Sequence, residues 1–97
     1  MAYRVVWSPK ALEDVEAIAS YIFRDSPAYA AAVVEKILDT TQTLTQYPTS
    51  GRIVPFGDEE VWEQLAYSYR IIYRIQEQVM IIAVIHGKKQ LDKFDKI

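Results

Sequence analysis

Two arginines and a histidine in the C-terminal third of the sequence are the side chains best suited to chemistry. Arg70 and Arg74 lie in the segment Tyr69–Ile75, and His86 follows a second apolar segment. The planar guanidinium of arginine donates paired hydrogen bonds to anionic oxygens, and histidine exchanges a proton near neutral pH. On a strand Arg70 and Arg74 would share one face. They are therefore either solvated charges or the walls of an anion site.

The elements that must position these side chains are two apolar segments with many β-branched residues. Tyr69–Ile75 and Val79–Ile85 flank the polar break 76–78, which is typical of an antiparallel β-hairpin. Alternation predicts that the first strand has one face of Tyr69, Ile71, Tyr73 and Ile75 and another of Arg70, Ile72 and Arg74.

Two amphipathic helices are predicted upstream of this hairpin, after a short first strand, Tyr3–Trp7. Ser8-Pro9 and Ser26-Pro27 each supply a capping side chain followed by proline at the first helical position. Apolar residues then recur every three or four positions through 10–24, and again through 30–44 until Pro48 ends the pattern. Since neither helix can bury its stripe alone, we expect an antiparallel helical hairpin packed on a sheet.

The remaining segments complete the predicted order. Tyr47–Asp58 holds two prolines and two glycines in twelve residues, which predicts a loop rather than a strand. Val61–Ala66 is predicted to be a strand and 88–97 a charged tail. The order is strand, helix, helix, strand, strand, strand. It predicts an α+β fold in one domain, 1–97, with the helical hairpin on one face of a mostly antiparallel sheet.

Composition narrows the classes of function. The chain has 97 residues, of which 51% are hydrophobic and 25% charged, as expected for one globular domain. Eleven basic and thirteen acidic side chains give a net charge of −2, which argues against simple nucleic-acid binding. The absence of cysteine excludes disulfides and thiolate metal sites. Without a membrane-spanning run or a signal-peptide pattern, we expect a soluble cytoplasmic protein that does not engage membranes.

Four short motifs, taken in order, resemble the RelE/ParE superfamily of toxins from type II toxin–antitoxin modules. They are Trp7–Asp14, which opens the first helix, Pro48-x-x-Gly51-Arg52 after the second, Tyr69–Ile75, and Val84–Lys89. The resemblance covers nearly the whole chain. It implies a small bacterial toxin that needs no cofactor or metal, is held inactive by a cognate antitoxin, and forms oligomers through that antitoxin.

The superfamily divides by target, and the resemblance implies different roles for the residues in each branch. ParE-like members inhibit DNA gyrase, whereas RelE-like members cleave mRNA on the ribosome. In a nuclease, Arg70 and His86 would be catalytic and Arg52 would be a further phosphate contact. The residues expected to contact a substrate or a partner are Arg52, Arg74, Lys88, Lys89, Leu91 and Phe94.

The strand arginines also have structural interpretations. Arg70 and Arg74 could be the solvated face of a strand, or could form weak surface pairs with Glu63 or Glu77. Arg70 could instead donate to carbonyls of the loop around Gly51. That glycine is most simply interpreted as a turn residue with a positive φ.

The scarcity of cations favours the ParE-like branch. Ribosome-acting members tend to carry a lysine-rich second helix and loop, but here residues 38–56 contain Arg52 as their one cation. Attraction to RNA is therefore weak, and a lone histidine such as His86 is more often structural than catalytic. We favour a ParE-like toxin that binds DNA gyrase. The alternatives are a metal-independent, ribosome-dependent mRNA endoribonuclease and an inactive member that only binds its antitoxin.

Overall fold

The computed structural model describes residues 2–87, which form two helices and five strands. The helices are α1 (Pro9–Phe23) and α2 (Pro27–Thr43), and a single 3-10 turn covers Pro48–Ser50. The strands are β1 (Val5–Trp7), β2 (Arg52–Phe56), β3 (Glu59–Ala66), β4 (Tyr69–Ile75) and β5 (Val79–His86).

Both helices begin at the predicted serine–proline pairs. The Ser8 hydroxyl accepts a hydrogen bond from the Ala11 N–H at 3.0 Å, and the Ser26 hydroxyl accepts one from the Tyr29 N–H at 3.1 Å. These bonds satisfy amide groups that the first turn of a helix leaves unpaired. The second helix ends at Thr43, earlier than Pro48, so the proline follows a short turn rather than ending the helix itself.

The five strands form one sheet in the order β1-β5-β4-β3-β2. β1 runs parallel to β5, and every other neighbouring pair is antiparallel. The helical hairpin packs on one face of this sheet, and its buried residues Ala11, Val33 and Ile37 join the core there. The predicted α+β architecture is therefore confirmed, with one strand more than expected.

The additional strand is β2, which replaces part of the predicted loop. The prediction of a loop over Tyr47–Asp58 was wrong for Arg52–Phe56, which pairs antiparallel with β3. Pro55 argued against a strand because proline cannot donate a hydrogen bond to a strand ladder. An edge strand tolerates proline, since it needs ladder bonds on one side only. The side chains of Val54 and Phe56 pack together with those of the neighbouring strands.

A β-bulge in β5 is held by side chains from the start of α1. The register of β4 against β5 shifts between Ile72 and Tyr73, which leaves Ile82 as the additional residue. The Ser8 hydroxyl donates to the Ile82 carbonyl at 3.3 Å, and Asp14 accepts from the Val84 N–H at 2.9 Å. Buried backbone groups need such partners, so the motif that opens the first helix has a structural role.

The two faces of the sheet carry separate apolar clusters. The face beneath the helices includes Ile71 and Tyr73 of β4. The opposite face, here called the open face, includes Ile72 of the same strand with Val61 and Ile85. The predicted alternation along β4 is confirmed, and it places Arg70 and Arg74 on the open face.

Candidate functional site

Arg70 and His86 lie on opposite faces of the sheet. In the ladder between β4 and β5, Arg70 faces Ile85 on the open face, while His86 faces Tyr69. The Tyr69 side chain packs against the core beneath the helices. The His86 and Tyr69 rings meet edge to face, with centroids 5.6 Å apart. The structure therefore does not bring together the two residues named as catalytic for a nuclease.

The open face carries a buried carboxylate between two arginines. The Glu63 side chain, in the middle of β3, is only 1% exposed. The Arg52 Nε donates to one of its carboxylate oxygens at 2.6 Å, and the Arg70 Nε donates to the other. A buried carboxylate is costly unless charged donors of this kind compensate it. Arg52, Glu63 and Arg70 are here called the charge cluster.

The sequence suggested that Arg70 could pair with Glu63 as a weak surface ion pair. The pair is instead largely buried, since the Arg70 side chain is 15% exposed. A sequence signal was present: Glu63 shares an alternating face with Val61, which predicts an inward-facing charge on that strand. A buried carboxylate requires a nearby cation, so this pattern predicts a buried ion pair.

A cavity of about 360 Å³ adjoins the charge cluster at the turn between β3 and β4. Its walls include Leu65, Tyr67 and Ser68, and its polar side is formed by the charge cluster. Two arginines and one glutamate leave a single formal positive charge there. The cavity has room for a small anion, but Glu63 compensates one of the two positive charges.

Arg74 forms a second and separate ion pair on the open face. Its Nε donates to Glu59 at 2.8 Å, and both side chains are substantially exposed. Arg70 and Arg74 thus share a face as predicted, but each is engaged by a different carboxylate. They do not form the two walls of one anion site.

Tyr73 makes a contact that fixes the turn before β2. Its hydroxyl donates to the Pro48 carbonyl at 2.7 Å, and burial raises the pKa of its phenol. Gly51 has a φ of −82°, so the prediction of a positive φ was wrong. A side chain at Gly51 would place its Cβ 2.2 Å from the Glu63 carbonyl oxygen. Glycine is therefore needed because β3 approaches closely, and this approach places Arg52 opposite Glu63.

An apolar groove runs along the outer surface of the helical hairpin. Its volume is about 720 Å³, and it is lined mainly by apolar side chains of both helices, including Phe23 and Leu38. Phe23 is 61% exposed and Leu38 50%. Glu35 and Asp39 also line the groove, which gives it an acidic edge. This surface is here called the hairpin groove.

The sequence analysis expected apolar positions of both helices to face the sheet. Ile22 and Ile37 do so, whereas Phe23 and Leu38 face outwards. The apolar residues of the two helices cover a wider face than one buried stripe. This excess width is the signal that could have predicted a second apolar surface.

Four predicted contact residues, Lys88, Lys89, Leu91 and Phe94, lie outside the described residues, as does the predicted tail. Within 2–87 no helix is long and apolar enough to cross a membrane. Over the same range no three histidine, aspartate or glutamate side chains are placed to hold a metal ion.

Comparison with known proteins identifies the family. The sequence model of the ParE toxin of the type II toxin–antitoxin system parDE matches residues 5–91. The chain belongs to the ParE toxin family. It is 34% identical over 87 residues to the curated protein "Putative toxin Y4kP" of Sinorhizobium fredii (strain NBRC 101917 / NGR234), covering 90% of this chain and 91% of that one.

Solved structures of this family and of RelE proteins share the fold. A chain of the chromosomal ParDE toxin–antitoxin system of P. aeruginosa superposes with a TM-score of 0.75 at 20% identity, covering 90% of this chain and 98% of that one. A chain of the RelBE2 toxin–antitoxin complex of Mycobacterium tuberculosis superposes with a TM-score of 0.63 at 24% identity, covering 89% of this chain and 99% of that one. A chain of the archaeal RelE–RelB complex of Pyrococcus horikoshii OT3 superposes with a TM-score of 0.63 at 15% identity, covering 93% of this chain and 100% of that one.

Proposed function

We propose that this ParE-family protein is a bacterial growth inhibitor that acts in the cytoplasm by binding DNA gyrase, and that a cognate antitoxin neutralises it. The family assignment supports a toxin of this class. The separation of Arg70 from His86 is the observation that favours inhibition by binding over RNA cleavage.

Metal-independent RNA cleavage needs a proton-transfer group and a phosphate-stabilising group at the same phosphate. Arg70 is engaged by Glu63 on the open face, and His86 lies on the side of the sheet that packs beneath the helices. A phosphate bound to Arg70 on the open face would lie on the other side of the sheet from His86. The overall charge of −2 adds no attraction for RNA. Inhibition by binding requires neither group to act chemically.

The gyrase contact is proposed to lie on the open face near the end of β3, continuing into the tail from Lys88 onwards. Arg52, Leu65 and Tyr67 are all well exposed there. Arginine and aromatic side chains are enriched in protein interfaces and among their energetically dominant residues.

The antitoxin is proposed to place an amphipathic helix in the hairpin groove. Small monomeric proteins seldom leave such apolar patches exposed unless a partner covers them, and a helix laid in a groove is a recurring mode of recognition. The acidic edge formed by Glu35 and Asp39 favours a segment with basic residues beside its apolar stripe. Solved relatives that share the fold are complexes of toxin with antitoxin.

Induction of the chain alone in bacteria tests the proposed function. We expect growth arrest with a DNA-damage response, abnormal nucleoids and intact mRNA. Rapid arrest of translation with mRNA cut inside ribosomes would contradict the proposal and favour the endoribonuclease. Normal growth at verified expression would favour an inactive member. Co-expression of the adjoining gene product, if it is the antitoxin, is expected to restore growth.

A further inference from the structure

The hairpin groove is complementary to a segment that has an apolar stripe and a positive charge. Its lining is apolar except for Ser20, Glu35 and Asp39, and no basic side chain of the described residues joins it. A second copy of the chain is a poor occupant. In a two-fold dimer the same patch meets itself, so the acidic edges of the two copies would be brought together.

The charged tail, residues 88–97, has both properties in its sequence. Leu91, Phe94 and Ile97 recur at every third position, a spacing that places side chains on one face of a helix. Four lysines and two aspartates give the tail a charge of +2, whereas the seven basic and eleven acidic side chains of residues 1–87 give −4. The tail therefore complements the acidic edge of the groove.

The described part of the chain ends beside the helical hairpin. The Gly87 N–H donates to the Ser68 carbonyl at 2.7 Å, and the Lys36 Nζ lies 5.9 Å from the ring centroid of the neighbouring Tyr67. Lys36 adjoins Glu35, which lines the groove. An extended chain spans about 3.3 Å per residue, so ten residues reach roughly 33 Å, and a helix is about 10 Å wide. The tail is therefore long enough to pass around α2 and enter the groove.

We propose that the tail, residues 88–97, occupies the hairpin groove of its own chain when no partner is bound. Leu91 and Phe94 contact the apolar lining, and the lysines face the acidic edge. Because the tail is covalently attached, its effective concentration at the groove is on the order of millimolar. The antitoxin helix proposed for this groove binds in competition with the tail, and gyrase contacts the tail after its release. This inference rests on the groove of the proposed function but concerns the isolated chain.

The test is chemical crosslinking within the purified full chain, which has no native cysteine. One cysteine replaces Asp95, which leaves the apolar residues of the tail in place, and a second replaces Leu38 in the groove. The matched control carries Asp95→Cys with Leu65→Cys on the open face. Leu65 is 59% exposed and lines the same cavity as Gly87, where the tail begins, so a tail without a fixed site would reach it at least as readily.

A short bismaleimide is added at low protein concentration, and intramolecular crosslinks are followed by mass spectrometry. The pair with Leu38→Cys is expected to crosslink at least about tenfold faster than the pair with Leu65→Cys, because docking raises the local concentration. Adding Phe94→Ser is expected to remove this preference. If Leu38→Cys does not fold, Phe23→Cys, which also lines the groove and is 61% exposed, takes its place under the same criteria.

Equal or faster crosslinking at Leu65→Cys would overturn the inference, since the tail would then lie on the open face or have no fixed site. A preference for the groove that persists in Phe94→Ser would also contradict it. Neither gyrase nor antitoxin is present in this experiment. A failure of the proposed function is therefore distinguishable from a failure of the docked tail.

Discussion

The open face of the sheet and the outer face of the helical hairpin differ in which groups they bury and which they expose to solvent. On the open face, the charge cluster of Arg52, Glu63 and Arg70 is compensated within the chain, and its carboxylate is buried. On the hairpin, apolar side chains such as Phe23 and Leu38 remain exposed along a groove. Charged groups are normally exposed and large apolar surfaces normally buried.

This difference separates what the fold completes from what it leaves to a partner. Each carboxylate oxygen of Glu63 already has a charged donor, so the buried carboxylate needs no donor from outside the chain. Among residues 2–87 nothing covers the apolar lining of the hairpin groove. Its burial by another molecule would lower the free energy. We therefore expect loss of the buried Glu63 to change stability, and substitutions in the groove to change association with the antitoxin.

The largest expected effect is on stability, from Glu63→Ala. Removing the carboxylate leaves two arginines facing each other, one of them mostly buried, and we expect the free energy of unfolding to fall by about 3–5 kcal/mol. Urea denaturation at neutral pH measures it. Glu59→Ala, which removes the exposed partner of Arg74, is the control and should cost at most about 1 kcal/mol. Equal losses in the two variants would show that the charge cluster is not a buried compensated site.

The next largest effect is on antitoxin binding, from Leu38→Glu in the hairpin groove. An added charge among apolar side chains is expected to weaken binding by about 2 kcal/mol or more, roughly thirtyfold, without loss of stability. Leu12→Glu is the matched control, because Leu12 is also 50% exposed on a helix but does not line the groove. The measurement is the affinity of each variant for the purified antitoxin. Similar weakening by both variants would show that the groove is not the antitoxin site.

Tyr73→Phe should have a smaller effect, and one that depends on pH. The variant loses the hydrogen bond to the Pro48 carbonyl, which we expect to cost about 1 kcal/mol at neutral pH. Burial raises the pKa of the Tyr73 phenol, so the folded state favours the neutral form. This stabilisation is fully present below the unfolded pKa of about 10 and is lost as the pH rises through the higher folded pKa.

The measurement is the free energy of unfolding of the native chain and of Tyr73→Phe across this alkaline range. Stability of the native chain is expected to fall more steeply than that of the variant, so the difference between them should narrow as the pH rises. A constant difference would mean that the buried phenol does not titrate with unfolding.

The smallest expected effect is that of His86→Ala on toxicity. Because His86 lies on the opposite face from Arg70, its imidazole is not needed for inhibition by binding. Growth curves after induction should match those of the native chain at equal expression. Complete loss of toxicity in a folded His86→Ala protein would contradict the comparison of the two faces.

Local sequence signals were sufficient to predict most elements, but not the assembly of the site. The serine–proline pairs and the alternation in Tyr69–Ile75 act over a few residues, so they predicted both helix starts and the faces of β4. β2 was missed because an edge strand tolerates the proline and glycines that usually mark a loop. The opposite faces of Arg70 and His86 depend on cross-strand register, which one strand alone does not specify.

The proposed action is tested most directly by DNA gyrase supercoiling in the presence of the purified chain. The account predicts dose-dependent inhibition that persists in His86→Ala and disappears when the antitoxin is added. Translating ribosomes exposed to the same protein should retain intact mRNA. Unimpaired supercoiling together with cleavage of ribosome-bound mRNA would contradict the account.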